Sequence, residues 1–260
     1  MNKMTFQDER KSGAVTSTAM GLRQAVFLHI QKTGGTSIIG GLRPYYGSLC
    51  SHGDCWGRPS AEFWGTDFVS GHVGYSYFED LIKDRYSFTV LRDPVERIIS
   101  LYYFCRKRDP QEYEIYQRAH TMSFEEFLNA GFTDKLVKDY IWNNQTWQLA
   151  CGYEDPKGRC HDDFGEDTLL ELAQEHLAAF SRVGTTEALA EDAALIAADL
   201  GLKDGVTVKP SNVTPDRPRR EDLSPAAREM LQDLTLLDSE LCQHAVRFHS
   251  EKKQRCDETC

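Results

Sequence analysis

Lys32 to Ser37 reads Lys-Thr-Gly-Gly-Thr-Ser. This stretch combines an ammonium, three hydroxyls and two adjacent glycines, the makings of an anion cradle. Glycines let backbone N–H groups approach a ligand closely, and the first turn of a following helix adds partial positive charge. The Ser and Thr hydroxyls and the Lys ammonium complete a site of phosphate size. A second stretch runs from Arg92-Asp93-Pro94 to Ser100. Arg offers a fork of donors for phosphate oxygens, and Pro94 suits the first position of a helix that would run through Ser100. His72, in Ser70-Gly71-His72-Val73-Gly74, suits a general base, because imidazole titrates near neutral pH.

These groups need strands to place them. Ala25 to Ile30 is an apolar run of strand length just before Lys32. Asp67 to Gly71 precedes His72, and Tyr86 to Leu91 precedes Arg92. Ser181 to Gly184 makes a fourth strand. Helical segments are predicted over 75–83, from Pro94 with Asp93 as N-cap, and over 124–128, 134–150, 166–180 and 187–200. Ser224-Pro225 opens a last helix with Met230, Leu234, Leu237 and Leu241 as its buried stripe. Strands alternating with helices predict an α/β fold: one domain with a P-loop-like central parallel sheet flanked by helices. Ligands of such sheets sit outside the carboxyl ends of the strands, so Lys32, His72 and Arg92 converge on one rim. Residues 40–65 read as an irregular connection in which Trp56 and Trp64 either line a pocket or pack beneath the loop. Residues 106–121 read as a mobile surface excursion, and 203–222 as a polar loop.

The chain has 260 residues, which suits one large α/β domain. Its net charge of −10 counts against nucleic acid and heavily sulfated glycans as partners. No stretch reaches the roughly 18 apolar residues of a membrane span. The N-terminal stretch is polar and lacks the apolar core of a signal peptide. Residues 1–22 read as a flexible leader, 23–250 as the catalytic domain and 251–260 as a charged tail. That organisation predicts a cytoplasmic protein; a chain trimmed from a secreted enzyme would belong in the Golgi lumen instead. Cys50, His52 and Cys55 fall short of the four ligands of a structural zinc, so no metal is expected. Cys151 and Cys160 flank a polar loop and would pair only in an oxidising compartment.

Lys32 precedes both glycines, unlike the P-loop of ATPases and GTPases, G-x-x-x-x-G-K-[ST]. The wording HIQKTGGTS resembles the 5′-phosphosulfate loop of sulfotransferases, in the family that includes heparan sulfate 2-O-sulfotransferase and many bacterial relatives. Residues 88–103, FTVLRDPVERIISLYY, resemble that family's 3′-phosphate signature. The resemblance implies 3′-phosphoadenosine 5′-phosphosulfate (PAPS) as donor. It places Lys32, Thr33, Gly34, Gly35, Thr36 and Ser37 around the 5′ end, and it alone pairs Arg92 with Ser100, on the 3′-phosphate. Lys209 and Ser211 fall in a loop closing over the nucleotide. Lys32 and His72 would be catalytic, and the acceptor a hydroxyl of a saccharide or small molecule. Glycan 2-O-sulfotransferases carry a His-x-His pair where this chain has His72 and Gly74, which suggests a different acceptor. Glu62, Glu79 and His52 are further candidate bases, and His29 reads as a core histidine. A small-molecule kinase and a non-catalytic nucleotide-binding protein are the competing readings.

Overall fold

Ala25–Leu28 (β1) is buried along its whole length. In the computed structural model it forms the middle of a five-stranded sheet among the described residues, which are 21–203, 205–208 and 217–246. The other strands are Leu49–Cys50 (β2), Phe68–Gly71 (β3), Tyr86–Leu91 (β4) and Arg182–Thr185 (β5). Their order is β2-β3-β1-β4-β5, with every pairing parallel. The helices are Gly35–Leu42 (α1), Tyr75–Asp84 (α2), Pro94–Cys105 (α3), Glu114–Thr121 (α4) and Phe124–Thr133 (α5). There follow Lys135–Ile141 (α6), Asn144–Ala150 (α7), Glu166–Ala179 (α8), Leu189–Leu200 (α9), Pro225–Leu234 (α10) and residues 236–246 (α11).

Parallel strands need covered crossovers, and a sheet covered on both faces is apolar throughout. One apolar cluster joins Phe27, Phe68 and Phe88 to α1 and α9, with the Phe27 and Phe88 rings stacked at 4.5 Å. A second joins Val26, Leu28 and Val69 to α2, α7 and α8. A third holds α3, α4, α5, α6 and α10 together. In the sheet register Leu28 pairs with Gly71 and Thr89, and Leu91 with Thr185. The segments that follow, carrying Lys32, His72, Arg92 and Thr186, therefore leave one rim. The chain departs from β1 to one side and later builds β4 and β5 on the other. Such a reversal of strand order opens a crevice.

The structure corrects four expectations. The predicted excursion over 106–121 contains α4, whose Ile115 and Ala119 are buried against the α3 cluster. The predicted helix over 134–150 is broken at Asn143, which takes φ 41° while its Oδ1 accepts the N–H groups of Leu237 at 2.9 Å and Asp238 at 3.2 Å. Asn tolerates the left-handed region and bonds locally, so it interrupts a helix that periodicity alone would continue. The last helix likewise breaks at Thr235, whose hydroxyl donates to Leu231 O at 2.7 Å. The two-residue β2 lies inside the stretch read as irregular.

Candidate active site

The Lys32 loop is built on strain held in place. Lys32 takes φ 69° and Gly34 φ 85°. A left-handed non-glycine residue costs about 1–3 kcal/mol and persists where neighbours over-determine it. Here Arg92 Nη1 donates to Lys32 O at 2.9 Å, and Thr186 Oγ1 donates to Thr33 O at 2.9 Å. Gly35 is required for a different reason: a Cβ there would lie 2.3 Å from the His29 imidazole. His29 is thus the buried packing residue beneath the loop, stacked on Phe27 at 5.0 Å, and it also reaches the cleft described next.

Lys32, Gly34, Gly35, Thr36, Ser37, His72, Arg92 and Ser100 all line one cleft of about 1000 Å³. Thr33 does not: it is fully buried, its hydroxyl donating to Ile30 O at 2.9 Å. Asp93 caps α3 by accepting the Glu96 N–H at 2.9 Å, with Pro94 in the first helical position, and this directs Ser100 toward the cleft. Lys209 and Ser211 lie outside the described residues, as does the side chain of His52. Glu62 and Glu79 pair on the surface with Arg58 at 2.8 Å and Lys83 at 2.6 Å, away from the cleft. Trp56 lines the cleft and Trp64 does not.

The cleft carries Lys32, Arg92, Arg108 and Arg217, and no Asp or Glu is among its described lining residues. A net charge of −10 averaged over the surface conceals this cationic pocket. Burial, reinforced by Arg92, Arg108 and Arg217 and opposed by Cys105, holds the Lys32 ammonium down at about 8. Its Nζ lies 3.7 Å from the centre of the Phe104 ring. Glu96 pairs with two of the guanidiniums, 2.8 Å from Arg217 and 3.8 Å from Arg92. The Arg92–Glu96 ion pair and an anion-binding role are thus compatible.

His72 Nδ1 sits 2.7 Å from the carbonyl oxygen of His29. Gly74, where the glycan enzymes carry a second histidine, is pressed against another chain segment. A Cβ on it would lie 1.7 Å from Cys151 O and 2.5 Å from the Gly152 Cα. Cys50 and Cys55 face each other with sulfurs 3.5 Å apart, both buried, and the described cysteines are free thiols, Cys151 and Cys160 included.

Sequence reasoning missed Arg217, Arg108 and Phe104; Gln145 and Thr186 fall in the stretches Asn144-Gln145-Thr146 and Val183-Gly184-Thr185-Thr186-Glu187, which resemble later landmarks of the same family but suggest no role by themselves. Arg217 opens the basic run Arg217-Pro218-Arg219-Arg220, a local cue; the others show their role only through tertiary contact.

A model of the Sulfotransferase family matches residues 23–248. The chain belongs to that family and is a PAPS-dependent transferase. No curated protein matches it at a significant level. Among the described residues no helix is long and apolar enough to cross a membrane. The donor set suits a polyanionic nucleotide: four cations, the hydroxyls of Ser37 and Ser100 and the N-terminus of α1, with no carboxylate among the described lining residues.

Proposed function

We propose that the protein transfers a sulfonyl group to a hydroxyl of a saccharide or small-molecule acceptor, with His72 as base and the Lys32 loop, Arg92 and Ser100 as the nucleotide site. One observation carries this reading: groups encoded after three different strands open onto a single cationic cleft. PAPS, when bound, supplies the sulfonyl group and departs as adenosine 3′,5′-bisphosphate. Backbone N–H groups of Gly34 to Thr36 hold phosphate oxygens at the start of α1, the Ser37 N–H being given to Gly34 O at 3.0 Å. The Lys32 ammonium, largely buried, neutralises charge developing on the departing phosphate, where partial desolvation strengthens such a contact. Arg92, with Arg217 beside it, supplies forked donors to the 3′-phosphate, and Ser100 adds a hydroxyl. Nε2 of His72 accepts the proton of the acceptor hydroxyl.

Titration calorimetry with adenosine 3′,5′-bisphosphate, beside 5′-AMP and ATP with Mg²⁺, tests the donor site. The bisphosphate is expected to bind best, and Arg92→Ala to abolish its advantage over 5′-AMP. Equal binding of 5′-AMP by the wild-type protein would sink the assignment.

A further inference from the structure

Strand order divides the cleft. Arg92 and Thr186 follow β4 and β5 on one side of β1; His72 follows β3 on the other, and Trp56 lies in the segment after β2. Arg217 belongs with Arg92 through their shared Glu96. Arg108 belongs with Lys32, because both cations lie over the Phe104 ring, at 4.6 Å and 3.7 Å. Among the described lining residues, what remains on the β2–β3 side is uncharged apart from the histidine: Gly53, Trp56 and His72, with Tyr140 lining the same cleft.

Trp56 is mounted rigidly there. Tyr77 donates its hydroxyl to Cys55 O at 3.1 Å and Arg58 O at 2.6 Å, on either side of it. The Gly57 N–H donates to Glu154 at 3.0 Å. Tyr153 braces the indole with ring centroids 5.5 Å apart, yet Trp56 stays 40% exposed at the cleft. A large aromatic surface held in the open in the same cleft as a candidate base is a stacking platform waiting for a ring.

We infer that the acceptor half of the cleft takes an uncharged ring bearing a hydroxyl, one face stacked on Trp56 and the hydroxyl directed to His72. This rests on the sulfotransfer reading of the site. A sugar and a simple phenol share that chemistry, an apolar face with a polar edge; an acidic sugar does not, because no cation stands among the described lining residues of this side to receive its carboxylate.

The test is ligand-observed saturation-transfer NMR on the full chain, with and without adenosine 3′,5′-bisphosphate. The probes are methyl glycosides of neutral hexoses, phenol, and a methyl glucuronide. Wild-type protein and Trp56→Phe are expected to saturate ring protons of a neutral probe, glycoside or phenol identifying which source the site prefers. Trp56→Ala is expected to weaken that binding about tenfold or more, with bisphosphate affinity and melting temperature unchanged. Saturation of the glucuronide alone, of no probe, or of the neutral probes equally in Trp56→Ala overturns the inference. Failure of the bisphosphate to bind the wild type overturns the donor site instead, so the two failures are separable.

Discussion

His72 Nδ1 lies 2.7 Å from the backbone carbonyl oxygen of His29, across the gap between β3 and β1. A carbonyl only accepts, so Nδ1 carries the proton and Nε2 is left as the basic nitrogen. The bond therefore sets both tautomer and ring orientation, as the partner of a histidine base must. His72→Ala is expected to lower kcat by about 10²–10⁴-fold. Affinity for adenosine 3′,5′-bisphosphate should be unchanged. Single-turnover transfer of labelled sulfonate, read beside calorimetry, separates the two. Turnover near wild type would assign the base elsewhere.

Lys32 gives a pH dependence of known sign. In the free protein its ammonium titrates at about 8 rather than at its ordinary 10.5, because burial disfavours the charge. In its proposed role Lys32 must carry that charge, so kcat/KM for the donor is expected to fall as pH rises through about 8. Stability moves the other way. Between about 8 and 10.5 the unfolded chain binds the proton and the folded one does not, so Lys32 makes stability rise with pH across this window. Below it the folded protein carries a buried charge at a cost of up to about 3 kcal/mol. Lys32→Met should thus melt about 2–8 °C higher at neutral pH while losing transfer. A melting point below wild type would show that the ammonium is paired rather than strained.

The sheet and the positions of Lys32, Arg92, Ser100 and His72 were legible because each depends on local order: an apolar strand, then a turn, then a helix start. Asp93 and Pro94 announced α3 by cap chemistry alone, and the structure has that cap. What sequence could not show depends on distant chain. Asn143 breaks its helix because it receives two N–H groups from α11, more than 90 residues away. The burial of α4 rests on faces of α3 and α5 that periodicity around Ile115 cannot supply. Thr33 stands in the motif yet turns inward to Ile30 O, a distinction only the φ of Lys32 and the path of the loop make.

Gly74 illustrates the same point at the position of the missing histidine. Its absent side chain is not a free choice of acceptor specificity alone. The backbones of Gly74 and Gly152 cross so closely that either Cβ would fall within 2.5 Å of the other's Cα. Gly74 N also donates to Tyr153 O at 2.8 Å. Gly74→Ala is expected to cost about 3 kcal/mol or more in urea unfolding. Gly65→Ala, with nothing within 4 Å of its Cβ, should stay within about 0.5 kcal/mol of wild type. Gly74→His should unfold the loop rather than create a second base. A stable Gly74→Ala protein would show that the segment at Cys151 yields.

Gln145 grips the Arg92 peptide from both ends. Its Oε1 accepts the Arg92 N–H at 3.0 Å, and its Nε2 donates to the Arg92 carbonyl at 2.9 Å. Gln145 is itself fixed by Asp238 of α11, which accepts the N–H groups of Gln145 at 3.3 Å and Thr146 at 2.7 Å. Cys242, one turn further on, donates its thiol to the same Arg92 carbonyl at 3.5 Å. Arg92 in turn holds Lys32 O, so α11 bears on the proposed nucleotide site through the Arg92 backbone. Gln145→Met keeps the shape and removes both bonds. It is expected to raise the dissociation constant of adenosine 3′,5′-bisphosphate about tenfold, one to two hydrogen bonds' worth. Binding of 5′-AMP, which lacks the 3′-phosphate, should change little. Gln145→Glu keeps the acceptor for the Arg92 N–H but loses the donor, and should fall between. Calorimetry with both nucleotides makes the comparison, because a general loosening of the fold would weaken the two alike, whereas a misplaced Arg92 weakens only the one that carries the 3′-phosphate.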